Sequence, residues 1–142
     1  MFLNGPIPGA LIEKELDTSE AQAGATAIFI GKVRADKVKS SVVCAIEFTA
    51  QQNIANKTAV EIIEGCKKEK GILNAEIWHS LGNVLSGQPC FLVVVNGKHR
   101  KESFEALQWI VDEVKRQCPI FGKEIFEDGR YKWKKNKETI SL

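Results

Sequence analysis

The sequence is poor in metal-ligating residues, with two histidines and four cysteines among its 142 residues. His79 and His99 have no carboxylate-rich motif beside them, so no familiar catalytic zinc pattern is present. Cys44, Cys66, Cys90 and Cys118 show no C-x-x-C spacing, which removes the usual metal clip and redox pair. Each lies in or beside an apolar segment, where a reduced thiol behaves as a small hydrophobe. Buried thiols of a reducing cytoplasm are therefore expected, with neither a disulfide framework nor a bound metal or cofactor. No charge of one sign dominates: twenty Lys and Arg stand against eighteen Asp and Glu, a net +2. That balance argues against a protein wrapped in nucleic acid.

Long apolar runs are missing too. The longest, 90–95, is far too short to span a bilayer, and residues 1–10 lack the basic-then-apolar order of a signal peptide. There is no G-x-x-x-x-G-K-[ST] phosphate loop, no recognisable Ser-His-Asp arrangement, no repeat and no linker. What remains is ordinary for one globular domain over 1–142: 44% apolar and 27% charged residues.

Hydrophobic periodicity divides the chain into alternating elements. Residues 1–22 are irregular, with Gly5, Pro6, Pro8 and Gly9 implying a loop and 10–16 a short helical turn. A strand over 26–33, apolar at Ile28, Phe29 and Ile30 and so expected to be covered on both faces, leads into a charged loop at 34–39. A second strand covers 41–48. Thr49 and Gln52 have capping-box spacing, predicting a helix from about residue 50. It carries Ala55, Ala59, Ile62 and Cys66 on one face and stops at Gly71.

Strands follow at 75–80 and 90–95, then a helix over 101–116 with Phe104, Leu107, Ile110, Val111 and Val114 expected inward. Pro119 ends it, Asp128-Gly129 sets a hairpin, and 134–142 reads as a solvated, flexible tail. Strict β-α-β alternation is absent. The expected fold is α+β: a mixed or antiparallel sheet carrying two main helices.

Candidate functional residues are basic. Arg34 leaves the first strand, where a solvated loop start is the favoured explanation. His99-Arg100 opens a helix, where free N–H groups attract anions, so a phosphate or carboxylate site competes with plain surface polarity. Lys115 and Arg116 occupy a last helical turn, where positive charge is stabilising by itself. Lys123 follows Pro119 closely. If the sheet gathered Arg34, His99, Arg100, Lys115 and Lys123, mutual repulsion would make a lysine a usable acid, base or nucleophile. His79 reads as a packed, hydrogen-bonded residue, and a Cys118 thiolate is a weaker alternative.

The order of these pieces resembles the large, catalytic subunit family of molybdopterin synthase over roughly residues 24–138. The resemblance rests on Phe29-Ile30-Gly31-Lys32-Val33-Arg34, on His79 with Gly82 and Gly87, on His99-Arg100, on Phe104-Glu105-Ala106, on Lys115 with Pro119, and on Trp133. It implies an α/β hammerhead-like domain and a homodimer with a small ubiquitin-like partner at each end. The partner's C-terminal Gly-Gly tail carries a thiocarboxylate, and the substrate is cyclic pyranopterin monophosphate. Sulfur then arrives on the partner, so no cysteine of this chain has to carry it.

The resemblance also implies Lys115 as a catalytic lysine and Arg34, His99 and Arg100 as residues lining an anionic pocket. The family's second catalytic lysine, counted from Pro119, falls on Gly122. Lys123 is its expected substitute if a bulge at Gly122 re-aims it. A homologue that binds the small subunit without turnover is the alternative, and a nucleic-acid module using the lysine-rich tail is a third reading.

Overall fold

The structure, a computed structural model, describes residues 1–17 and 20–134. Its centre is β6 (Pro89–Gly97), flanked antiparallel by β2 (Ala25–Lys32) and β5 (Asn74–Leu85). Side chains alternate across a strand. Phe91, Val93 and Val95 pack into the large core, while Leu92 and Val94 pack with Ile7, Leu3, Leu11, Ile12 and Trp78. With both faces covered, an uninterrupted apolar run is the only composition that avoids burying a polar group.

The large core is closed by α2 (Gln52–Lys70) and α3 (Arg100–Gln117), which touch each other; α3 lies on β2 and β6, and α2 on β5. The smaller one is closed by Leu3 of β1 (Phe2–Asn4), by Ile7, and by Leu11 and Ile12 of α1 (Ala10–Glu13), after which a 3-10 turn with no buried residue follows at Lys14–Leu16. β5 links the two halves of the sheet. Its first part pairs with β6 and its last with β4 (Ser41–Ala50), and at Gly82, with φ at +78°, the backbone takes a conformation suited to glycine. β4 then pairs with β7 (Ile120–Phe126), and β7 with β8 (Tyr131–Trp133). The sheet order is β2-β6-β5-β4-β7-β8, with β1 parallel to β5 and β3 (Lys37–Val38) on β4. This is the expected α+β class, and the two main helices are where periodicity put them.

Several local expectations are corrected. β2 is not covered on both faces: it ends the sheet order, and Ile28 and Ile30 are 37% and 39% exposed. The capping box at Thr49 does not form. Thr49 and Ala50 continue the β4–β7 ladder, the helix starts at Gln52, and no side chain caps it. Ladder hydrogen bonds satisfy backbone groups that a cap would otherwise serve. Phe104 faces outward and is 64% exposed, while Ser103, Ala106, Ile110, Val111 and Val114 form the buried stripe. Small residues are needed there because α3 crosses β6 at Gly97, where a Cβ would overlap the Ser103 hydroxyl. The 34–39 loop contains β3, and β1 was not expected at all. Of the expected tail only Lys134 is among the described residues; 135–142 lie outside them.

Candidate functional site

His79 sits where β1, β4, β5 and β6 meet. Its ring lies 4.9 Å from Phe48 edge to face, 5.3 Å from Phe91 and 6.5 Å from Phe2. Its backbone N–H donates to the Met1 carbonyl at 2.8 Å, and Nδ1 lies 2.9 Å from the Ser80 carbonyl. Burial pushes its pKa down to about 4. The Ser80 carbonyl resists, and the charges of Lys115 and Lys134 depress it further. The ring is therefore neutral at pH 7. Nδ1–H donates to Ser80 and Nε2 keeps its lone pair.

Cys90, at the start of β6, reports the same two lysines. Burial pushes its thiol up, and the charges of Lys134 and Lys115 oppose that. Lys115 stands in the last turn of α3, where a cation complements the helix dipole. Lys134 directly follows β8, and its N–H donates to the Gly122 carbonyl at 2.7 Å. Two exposed ammonium groups thus act on one patch of buried, aromatic-lined sheet.

The expected site residues divide into three places. Arg34 emerges beyond the Lys32 end of β2 and pairs with Asp36 at 3.3 Å. α3 starts near Gly97, which pairs with Ala25, so it runs along β2 and ends at the same end of the sheet as Arg34. Lys115 and Arg34 therefore share an end.

His99 and Arg100 lie at the other end, roughly 22 Å from Lys115 along the helix axis. There Glu102 accepts from the His99 backbone N–H at 2.6 Å and lies 3.1 Å from His99 Nδ1. Desolvation raises the Glu102 carboxyl, but the N–H groups of Glu102 and His99 and the His99 ring outweigh it and hold it low. One chain does not gather the five cations.

Lys123 takes the third place. Residues 120–125 pair with β4 in continuous register, so no bulge forms at Gly122. Lys123 pairs with Glu47 at 3.9 Å and lies 4.9 Å from the Tyr131 ring centroid and 5.9 Å from that of Trp133. Strict alternation puts it on the face opposite Gly122, away from Phe48 and His79. Cys118 is also unsuited to nucleophilic work. It is buried, its pKa is pushed up to about 11 by desolvation, and its thiol is directed at the Ala55 carbonyl. Among the described residues no cluster of three His, Cys, Asp or Glu is arranged to hold a metal. No helix among them is long and apolar enough to cross a membrane.

A family model described as "MoaE protein" matches residues 7–117. The chain belongs to the MoaE family. Molybdopterin synthase catalytic subunit of Pyrococcus abyssi is 37% identical over 113 residues, covering 80% of this chain and 76% of that protein. The subunit of the same name from Oryza sativa is 31% identical over 83% of this chain; the match spans only 60% of the rice protein.

Among solved structures, molybdopterin synthase from Staphylococcus aureus superposes with a TM-score of 0.82 at 27% identity, covering 94% of this chain and 95% of that one. The Helicobacter pylori complex of molybdopterin-converting factor subunits 1 and 2 shares the fold. Its TM-score is 0.79 at 23% identity, with 97% and 91% of the two chains covered.

Within this MoaE-family chain, Lys134 opens the expected tail, and His79 is the expected packed, hydrogen-bonded residue. The signal for Lys134 was available: the Asp128-Gly129 turn fixes a hairpin register that sets residue 134 opposite residue 122. For the aromatic surround of His79 no local signal existed, because Phe2, Phe48 and Phe91 come from three distant strands.

Proposed function

We propose that this chain transfers sulfur from the thiocarboxylated C-terminus of a small ubiquitin-like partner to cyclic pyranopterin monophosphate, forming the dithiolene of molybdopterin. The observation that carries this reading is family membership across 7–117. The chemistry of the site is in keeping with it. Both reactants are anionic, and the exposed Lys115 ammonium acts on a neutral imidazole buried among aromatic rings. Cys118 and Cys90 are held as thiols by burial, so sulfur brought by a partner suits this chain better than sulfur carried on its own cysteines.

Lys115 is the proposed catalytic residue, with Arg34 as an anion-binding neighbour at the same end of the sheet. His99 and Arg100 join that pocket only through a second copy of the chain, which makes a homodimer part of the reading. The proposed location is the cytoplasm, where the thiols stay reduced.

Reconstitution tests the proposal. The chain is mixed with thiocarboxylated small subunit and cyclic pyranopterin monophosphate, and product is followed as its fluorescent oxidised derivative. Molybdopterin that disappears in Lys115→Ala supports the reading. Gly122, lacking a side chain where the resemblance implies a lysine, favours the second reading, an inactive homologue that only docks the small subunit. Partner binding without product would establish that one.

A further inference from the structure

We propose that Lys134 is the second cation of the Lys115 site and that these two lysines hold one anionic group of the reactants between them. This rests on the sulfur-transfer reading above. The register of the last hairpin comes first. Lys123 pairs with Trp133, Glu124 with Lys132 and Ile125 with Tyr131. One more step sets Lys134 opposite Gly122, and the Lys134 N–H to Gly122 carbonyl bond at 2.7 Å shows that step is taken. Residues directly opposite in an antiparallel pair share a face, with Cβ positions about 4.5–5.5 Å apart. Lys134 is therefore on the face where Gly122 meets Phe48, and the Phe48 ring is 4.9 Å from His79.

Gly122 leaves that face to its neighbour. A Cβ at 122 would lie 3.0 Å from Ile46 Cγ2 and 3.3 Å from Phe48 Cε1, so the sheet under it is already full. The charge comes from across the strand pair instead. Lys115 reaches the same patch from the end of α3, and both lysines act on His79 and on Cys90. Two cations thus reach one buried aromatic patch from separate elements, and an anion seated there is attracted by both. Lys123, though nearer in sequence to Lys115, is engaged with Glu47 and two rings on the opposite face.

The anion is a thiocarboxylate or a cyclic phosphate, and steady-state kinetics of the reconstituted enzyme distinguish them. Lys134→Ala is expected to lower kcat/KM by about 10- to 100-fold, the scale of one charge-assisted hydrogen bond. Lys134→Arg is expected to recover most of it, and Lys57→Ala, on the outer face of α2, to behave as wild type. A raised KM for the pterin assigns the cyclic phosphate; a raised KM for the small subunit assigns the thiocarboxylate.

The His79 side-chain ¹⁵N shifts, followed from pH 7 downward, read the geometry without turnover. Lys134→Ala should raise the His79 titration midpoint. An active wild type in which Lys134→Ala stays within about twofold, or in which His79 does not respond, would overturn the assignment. If wild type makes no product, the sulfur-transfer reading is lost. The clamp is then judged by inorganic phosphate: it stands if phosphate moves the His79 resonance in wild type but not in Lys134→Ala, and falls otherwise.

Discussion

The Phe48 and His79 rings pack edge to face with centroids 4.9 Å apart, joining the two halves of the sheet at the point where the charges of Lys115 and Lys134 are felt. An imidazole enclosed this way is held neutral by burial, and that makes stability depend on pH. The folded pKa, about 4, lies below the ordinary 6.5. The unfolded chain therefore binds the proton first as pH falls. The stabilisation is full above pH 6.5 and is lost as pH drops towards 4, up to about 3 kcal/mol in all. Urea denaturation at pH 7 and pH 4.5 should show this loss in wild type and a smaller one in His79→Gln. Equal losses in the two proteins would remove His79 as the cause.

Lys115→Ala should reduce molybdopterin formation by about a hundredfold or more, the scale of a lost acid or base. Lys123→Ala should cost only a few-fold, because Lys123 faces Glu47 and not His79. Single-turnover assays of both variants check the order, and a reversal would return the second cation to Lys123.

Gly122→Ala should destabilise the fold by about 1–3 kcal/mol, the usual cost of overpacking. The added methyl meets Ile46 and Phe48, both buried on β4. Thermal melting decides it, and an unchanged melting temperature would show that β7 can shift away freely.

Gly97→Ala should be at least as damaging and should also reach the site. The new Cβ overlaps the Ser103 hydroxyl, which donates to the His99 carbonyl at 2.8 Å and helps fix the first turn of α3. A lower melting temperature with altered His99 NMR shifts is the expected pair of results.

Alkylation at neutral pH should modify Cys44 well before Cys66, Cys90 or Cys118. Cys44 is only half-buried, and the other three are enclosed, with their thiols pushed up by desolvation. Mass spectrometry of partly labelled protein gives the order directly.

Local patterns settled what depends on neighbours in the chain. The 90–95 run announced a buried strand, Ala55, Ala59, Ile62 and Cys66 announced the buried stripe of α2, and Asp128-Gly129 announced the last hairpin. Lys115 was legible for the same reason, since its place depends only on where α3 ends. Two readings went wrong where a tertiary contact outweighed a local preference. Thr49 joined a ladder instead of capping a helix, and Phe104 yielded the inner face to Ser103 because α3 presses on Gly97.

The site itself lay beyond sequence order. Cross-strand pairing sends successive residues to opposite faces, so moving one position from Gly122 to Lys123 leaves the His79 side altogether, whereas Lys134, twelve positions on, returns to it. Helix length likewise separated His99 and Arg100 from Lys115. The sequence by itself determined the family, the two main helices and the central strands. Only the tertiary structure decided which cations share a face, because that follows from strand register and helix direction.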